Sequence, residues 1–266
     1  MTYHKGEVIL RAENISLKFA DKIILRDIDF SIYNIIRPDM HQGQVVSLVG
    51  RSGIGKTQLF KIIAGLQKPT TGAIKIDTDL HPVAAGQVGI VPQNYILFNH
   101  RTVYDNLMIG LDHAIQQYSV KEKQGLIHEY AGSFGLKEHL KKYPMQLSGG
   151  QKQRVSIIQQ VLTGNKFILL DEPFSGLDIL MIDKVVELLL KISTLHEHNT
   201  LIVVSHDIEN SLAISDTVFI MANEPGREGA TITEQLDLVE MGLAWNPEIR
   251  EDKKFHELVK AMKYKI

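Results

Sequence analysis

The sequence predicts an α/β fold with a mainly parallel sheet, an N-terminal antiparallel β subdomain and an inserted helical subdomain. Three short runs, Val45–Val49, Phe167–Leu170 and Leu201–Val204, are almost wholly apolar. Such runs are typical of strands buried on both faces of a parallel sheet. A helix-patterned block, 94–163, separates the first run from the other two, which indicates an insertion into the α/β core.

The elements are predicted in chain order from apolar periodicity and from Gly and Pro punctuation. The N-terminal region contains four short β-type runs and then a loop: Val8–Asn14, Ile15–Phe19, Lys22–Leu25, Ile28–Ile32 and the loop Ile35–Gln44. Helices are predicted over 57–66, 120–133, 150–162, 179–195 and 208–215, and a last core strand over 217–221. The chain thus divides into the β subdomain with the first part of the core (1–93), the helical subdomain (94–163), the second part of the core (164–222) and a tail (223–266).

Composition excludes several classes of protein. The 266 residues include 29 Lys and Arg against 31 Asp and Glu, for a net charge of −2, and no cysteine. This balance is ordinary for a globular protein and gives no basic surface for nucleic acid, so no nucleic-acid partner is expected. Without cysteine there is no disulfide scaffold, thiol nucleophile or zinc–thiolate site. The apolar runs are far shorter than the roughly 18 residues that cross a bilayer, and the N-terminus does not resemble a secretion signal.

A glycine-rich sequence follows the first apolar run. Gly50–Thr57 satisfies the pattern G-x-x-x-x-G-K-[ST] between a predicted strand and a predicted helix. In that context backbone N–H groups converge on phosphate oxygens at the positive end of the helix. Lys56 would reach the β- and γ-phosphates, and the Thr57 hydroxyl would ligate Mg²⁺. A glycine-rich turn with a chance lysine is the alternative. The pattern predicts a P-loop NTPase core.

Two carboxylates end the second apolar run. Asp171 and Glu172 follow Phe167–Leu170 directly, and the carboxyl ends of parallel strands line the ligand crevice. Asp171 is then placed to hold Mg²⁺, and Glu172 to polarise the water that attacks the γ-phosphate. The alternative is an acidic N-cap for the next helix.

A second anion site is predicted at Leu147–Arg154. Ser148 is a natural N-cap, and Gly149 and Gly150 expose backbone N–H groups at the helix start. One nucleotide has a single γ-phosphate, which the first loop already holds on one side. The sequence therefore suggests that two copies face each other, each lending this second cradle to its partner's nucleotide. A capped helix without a ligand is the alternative.

Taken together, these motifs resemble those of the ATP-binding-cassette (ABC) family, over about residues 8–221. In order, Gly50–Thr57 resembles the Walker A loop, Gln93 the Q-loop glutamine, Leu147–Arg154 the signature sequence, Phe167–Glu172 the Walker B strand, Ser175–Asp178 the D-loop and His206 the switch histidine. The presence of all six motifs in this order indicates the ABC family more specifically than any single motif does.

The resemblance implies roles for single residues. Glu172 would be the general base, His206 would contact the γ-phosphate and orient the water, and Gln93 would contact the water and Mg²⁺, alongside Thr57 and Asp171. The expected nucleotide-binding residues are Phe19 (stacked on adenine), Gly50, Arg51, Ser52, Gly53, Ile54, Gly55, Lys56, Thr57, Gln58, and, from the opposite copy, Ser148, Gly149 and Gly150, with Asp178 bridging the two copies. Gln58 departs from the family, which often has a second hydroxyl residue there. Phe19 could instead be a core strand residue.

Two functional hypotheses follow from the resemblance. The first is an ATP-hydrolysing subunit that dimerises around two ATP·Mg²⁺ and powers solute transport through membrane permease subunits, with a solute-binding protein in the complete system. It would be cytoplasmic and peripheral on the inner face of the cell membrane through its permease. The aromatic and aliphatic stretch Tyr95–Leu111 suits permease docking, although it could equally be core. The second is a soluble ABC ATPase of DNA repair, translation or cluster assembly.

Several short sequences resemble the nitrate/sulfonate/taurine-type import ATPases. They are Asp171–Phe174, Asn106–Leu111, Ser205–Glu209 and Glu224–Arg227, whereas Asn99-His100 departs from that group. They suggest import of a small polar or anionic solute. In the tail, Phe255, Leu258, Val259 and Met262 share a helical face flanked by lysines, which fits a helix packed on the core or one lying on a membrane surface.

Overall fold

One mixed sheet runs through the chain in a computed structural model that describes residues 3–36, 43–177, 179–193, 199–244, 246 and 248–265. The strands are β1 His4–Phe19, β2 Lys22–Ile36, β3 Gln44–Val49, β4 Thr71–Ile76, β5 His81–Pro82, β6 Val88–Val91, β7 Phe167–Asp171, β8 Thr200–Ser205, β9 Thr217–Asn223 and β10 Ala230–Asp237. The helices are α1 Lys56–Ile63, α2 Val103–Asp112, α3 Val120–Ser133, α4 Gly149–Val161, α5 Ile179–Ser193, α6 Ile208–Ile214 and α7 Lys253–Lys265. The predicted α/β fold is confirmed.

The parallel part of the sheet has the order β6-β7-β8-β3-β9. All residues of β3 and β8 are buried, as the apolar runs predict. Successive side chains pack on opposite faces, so Ile168 and Leu170 join the core under the helical block while Phe167 and Leu169 join the core with α1. The carboxyl ends of these strands therefore meet at one edge of the sheet.

The antiparallel part has two long strands where the sequence predicts four short runs. β1 pairs with β2 and β4, and the β1–β2 register shifts between Ala12 and Ile15. Asn14 and Asp27 adopt positive φ at this irregularity. Because a bulge disturbs the alternation without ending the pairing, a pattern break looks like a strand end. The predicted loop 35–44 is wrong at its ends, since β2 reaches Ile36 and β3 begins at Gln44; residues 37–42 lie outside the described ranges.

The helical block contains α2, α3 and α4 together with 3₁₀ turns at Lys137–His139 and Pro144–Gln146. Each helix starts with a capping box, formed by Thr102 with Asp105 in α2, Ser119 with Glu122 in α3, and Ser148 with Gln151 in α4. These boxes satisfy backbone donors that a helix start leaves unpaired. The predicted segments 120–133 and 150–162 agree with α3 and α4.

The last part of the chain contributes a strand that the sequence analysis did not predict. β10 pairs with β9 and makes one parallel bridge to β2, so it joins the two halves of the sheet. α7 buries Phe255, Val259 and Met262 in an apolar cluster with Leu212 of α6, which supports the packed alternative for the tail. No helix in the described ranges combines the length and apolar character required to cross a bilayer.

Candidate active site

The glycine-rich loop connects the central strand β3 to α1. A Cβ at Gly50 would lie 2.6 Å from the carbonyl oxygen of Met221, so only glycine fits this close approach. Gly55 caps α1 with a φ of 112°, which is also accessible chiefly to glycine. The loop is thereby held at the carboxyl edge of the sheet with the N-terminus of α1 open toward the crevice.

Lys56 lies inside this loop rather than in solvent. Its side chain is 6% exposed, and Nζ donates to the carbonyl oxygens of Gly50 (2.8 Å) and Arg51 (3.1 Å). Nζ also lies 3.3 Å from Oε1 of Glu172. The ammonium group therefore joins the phosphate-binding loop to the acidic end of β7.

Glu172 is held by hydrogen bonds from the last residue of β8, Ser205, and from the next residue, His206. Its Oε2 accepts from Ser205 Oγ (3.0 Å) and from the backbone N–H of His206 (3.1 Å), and lies 2.8 Å from His206 Nδ1. The backbone N–H of Glu172 donates to Val204. Glu172 has a φ of +50°, a left-handed conformation rare for this residue type. These contacts fix a carboxylate at the end of β7 beside the predicted switch histidine.

Asp171, the last residue of β7, has a perturbed pKa. Burial raises the pKa of Asp171 above its usual 3.8, the Glu172 carboxylate adds to the rise, and Lys56 and Lys61 oppose it. A buried carboxylate of this kind is stabilised in its charged form by a nearby cation. Asp171 thus has the electrostatic character expected of a cation ligand.

The phosphate-binding loop, the two carboxylates and His206 line one cavity of about 530 Å³. The predicted site residues that line it are Phe19, Ser52, Gly53, Gly55, Lys56, Thr57, Gln58, Gln93, Asp171, Glu172 and His206. Phe19 is 50% exposed, which makes its ring available for stacking and argues against the core-strand alternative. Gln93 lines the cavity, and its Nε2 donates to Ser175 Oγ (3.2 Å).

Other predicted residues lie away from the cavity lining. Gly50, Arg51 and Ile54 belong to the loop but do not line the cavity. Ser148, Gly149 and Gly150 form the start of α4, where the Ser148 side chain accepts from Gln151 N, and they do not line it either. Asp178 lies outside the described residues. One copy of the chain therefore does not bring the two predicted anion sites together.

The structure also adds residues that the sequence analysis did not assign to the site. Ile24 of β2 and Ser175 line the cavity. Ser205 is buried, and its hydroxyl donates to Glu172 Oε2. Ser175 is the first residue of the predicted D-loop, from which the sequence analysis assigned only Asp178 to the nucleotide-binding residues. Ile24 and Ser205 look like ordinary strand residues, and only the fold gives them this place.

Known proteins are similar in sequence to this chain over most of its length. The sequence profile of the family described as ABC transporter matches residues 33–175, more than half of the chain. The spermidine/putrescine import ATP-binding protein PotA of Protochlamydia amoebophila is 38% identical over 79% of this chain and 54% of its own length. The bicarbonate transport ATP-binding protein CmpC of Synechococcus elongatus is 34% identical over 85% of this chain and 34% of its own. The chain thus spans about half, or a third, of the length of these two curated relatives.

Among solved structures, cbiO1 of Clostridium perfringens, part of the ABC transporter complex cbiONQ, superposes with a TM-score of 0.74. The match covers 97% of this chain and 100% of that chain at 24% identity, and it supports the fold, including the part after residue 222. From the family profile and the curated relatives, we conclude that the chain belongs to the ABC transporter family.

Proposed function

We propose that this chain hydrolyses ATP as the energy-supplying subunit of a membrane importer. The observation that carries the proposal is the position of Glu172. One of its oxygens lies 3.3 Å from the P-loop ammonium of Lys56, and the other accepts from Ser205 and His206. A carboxylate oriented by other groups at the γ-phosphate end of a phosphate loop is suited to act as general base toward water.

In the proposed reaction the phosphates lie against the backbone N–H groups of residues 50–57, and Lys56 exchanges its carbonyl contacts for phosphate oxygens. Glu172 accepts the proton of the attacking water while His206 orients that water beside the γ-phosphate. Phe19 stacks on the adenine ring. Catalysis then consists mainly of positioning and of charge stabilisation.

Thr57, Gln93 and Asp171 line the cavity with the oxygen ligands that Mg²⁺ prefers in proteins. The raised pKa of Asp171 reflects a buried carboxylate that a cation would stabilise, so these residues fit the ion. When bound, Mg²⁺ would neutralise charge on the phosphates.

The proposed active unit is a pair of copies. Gly149 and Gly150 present backbone N–H groups at the start of α4, away from the cavity of their own chain, whereas the Ser148 N–H donates to Gln151 Oε1 (2.9 Å). In a pair, these groups would complete the partner's site at the γ-phosphate, with Asp178 at the junction.

The partners proposed in the membrane are permease subunits, with a solute-binding protein in the complete system. The import and transport names of the two curated relatives support this function over a non-transport ATPase. Ile96 and Phe98, in the stretch predicted to dock a permease, are 71% and 47% exposed, and exposed apolar side chains favour a protein interface. The chain would then lie on the inner face of the cell membrane. The relatives named for bicarbonate and polyamines favour a small polar or anionic solute.

The test is ATP turnover by the wild-type chain and by Glu172→Gln. The variant should lose at least about 100-fold in turnover, because general bases contribute roughly 10²–10⁴, and it should retain ATP and accumulate as an ATP-bound dimer. Glu187→Gln, at an exposed residue of α5, is the control and should turn over ATP like the wild type. Wild-type turnover by Glu172→Gln would refute the role of Glu172.

A further inference from the structure

We propose that Arg250, in the C-terminal segment, is a positioning residue for ATP hydrolysis that acts through Asn210 and Asp207 on the loop carrying His206. The inference rests on the proposed function, because it concerns the same carboxylate, Glu172. It assigns to the part of the chain after residue 222 a role in the chemistry of the cavity.

Four hydrogen bonds, two on each side of Asp207, connect Arg250 to Glu172. Arg250 Nη2 donates to Asn210 Oδ1 (2.6 Å), and Asn210 Nδ2 donates to Asp207 Oδ2 (2.6 Å). The backbone N–H of Asp207 donates to Ser205 Oγ (3.0 Å), which donates to Glu172 Oε2 (3.0 Å). The Asp207 carboxylate only accepts, so the two pairs of hydrogen bonds are joined through the covalent frame of Asp207 and are coupled through its position.

The middle of this series fixes the start of α6. Asp207 is the N-cap of α6 and accepts from Asn210 N (3.0 Å) with its other carboxylate oxygen. Asn210 is 7% exposed, so little water is available to replace its partners. By donating to Oδ1, Arg250 orients the Asn210 amide so that its NH₂ group faces Asp207. The chain segment between Ser205 and Asn210, which contains His206, is thereby held at both ends.

Arg250 itself is anchored by its neighbours. It follows Ile249, which is buried in the apolar cluster that includes Leu212 of α6 and Phe255 of α7. Its guanidinium also lies 3.8 Å from Asp183 of α5, the helix that begins after the predicted D-loop. Arg250 therefore contacts α5 and α6, the helices that follow β7 and β8. Glu172 directly follows β7, and His206 directly follows β8.

This arrangement predicts a specific kinetic effect. Without the guanidinium, the Asn210 amide loses the hydrogen bond that orients it. The chain then spends less time in the arrangement in which His206 and Ser205 hold Glu172. Lys56 contacts Glu172 through Oε1, whereas the series ends on Oε2. The phosphate-binding N–H groups of residues 50–57 lie outside the series, so ATP affinity should change little. Loss of one hydrogen bond of this kind corresponds to about a three- to tenfold fall in turnover.

The experiment measures kcat for ATP hydrolysis, the Kd for ATP and the thermal midpoint of the full chain. The variants are Arg250→Ala, Arg250→Lys, Asn210→Ala and the double variant, with Lys260→Ala, exposed on α7, as the control. We expect Arg250→Ala to lower kcat about three- to tenfold with the Kd within about twofold of wild type. Arg250→Lys should recover part of the loss. The kcat of the double variant, which combines Arg250→Ala with Asn210→Ala, should be no lower than that of Asn210→Ala, because the two residues act in one series.

Unchanged kcat in Arg250→Ala, beside an active wild type, would overturn the inference and leave the proposed function standing. A parallel loss of kcat, ATP affinity and thermal midpoint, with additive effects in the double variant, would also overturn it, because that result describes a purely structural residue. A wild-type chain that binds ATP without turning it over would refute the proposed function itself, and the inference with it.

Discussion

Two buried serines, Ser205 and Ser211, should differ in their response to substitution by alanine. Ser205 and Ser211 are both 0% exposed. Ser205 Oγ donates to Glu172 and accepts from the backbone N–H of Asp207, each at 3.0 Å. Among the described residues, Ser211 Oγ has no hydrogen-bond partner. Alanine removes the same hydroxyl at both positions, so packing changes cancel in the comparison.

The magnitude for Ser205→Ala follows from its two contacts. A hydrogen bond to a charged group contributes about 1.5–3 kcal/mol to the free energy of unfolding. Glu172 keeps its contacts with His206, so the loss should be about 2 kcal/mol. For a chain of this size that loss corresponds to a fall of roughly 4–8 °C in the thermal midpoint. Ser211→Ala removes a buried unpaired hydroxyl and should leave the midpoint unchanged or raise it.

Thermal unfolding of the wild type and both variants, followed by circular dichroism, measures the difference. ATP turnover measured in parallel should fall in Ser205→Ala and stay at the wild-type level in Ser211→Ala. Equal midpoints for the two variants, or a lower midpoint for Ser211→Ala than for Ser205→Ala, would refute this account of how Glu172 is held.

The remaining predictions concern charge and assembly. Because burial raises the pKa of Asp171, the folded chain binds a proton there more tightly than the unfolded chain, so this group lowers stability as pH rises from 3.8 through the raised value. Asp171→Asn should therefore stabilise the chain at neutral pH in urea unfolding while weakening Mg²⁺-dependent ATP turnover; an unchanged or lower unfolding midpoint would contradict the burial argument. Ser148→Arg should block hydrolysis but leave ATP binding by single copies intact, measured by calorimetry, whereas loss of both would indicate a folding defect.

The parallel core could be predicted from sequence because its strands leave a strong signal. β7 and β8 are buried on both faces, and each reads as an unbroken apolar run between polar residues. The position of Glu172 at the sheet edge followed from the same signal. The hydrogen bonds of Glu172 could not be predicted in this way. Its bond with Ser205 joins residues 33 positions apart and depends on the pairing of β7 with β8.

The C-terminal region was harder to predict for a physical reason. β10 has apolar residues at Ala230, Ile232 and Leu236, but Glu234 interrupts this alternation where the β9–β10 register shifts, so the strand period is short and easily missed. Its pairing with β9 supplies the stabilisation that its pattern does not reveal. The Arg250–Asn210 contact spans 40 residues and has no local signature at all.

The proposed transport function is tested most directly by co-purification. The tagged chain would be captured from its native host in mild detergent, alongside Ile96→Asp and the matched control Ile115→Asp. Ile96 and Ile115 are exposed to 71% and 72%, and Ile115 lies outside the stretch 95–111 predicted to dock a permease. We predict that a multi-spanning membrane protein accompanies the wild type and Ile115→Asp and is depleted with Ile96→Asp. Capture of soluble partners alone, such as ribosomal or DNA-repair proteins, would contradict the transport function.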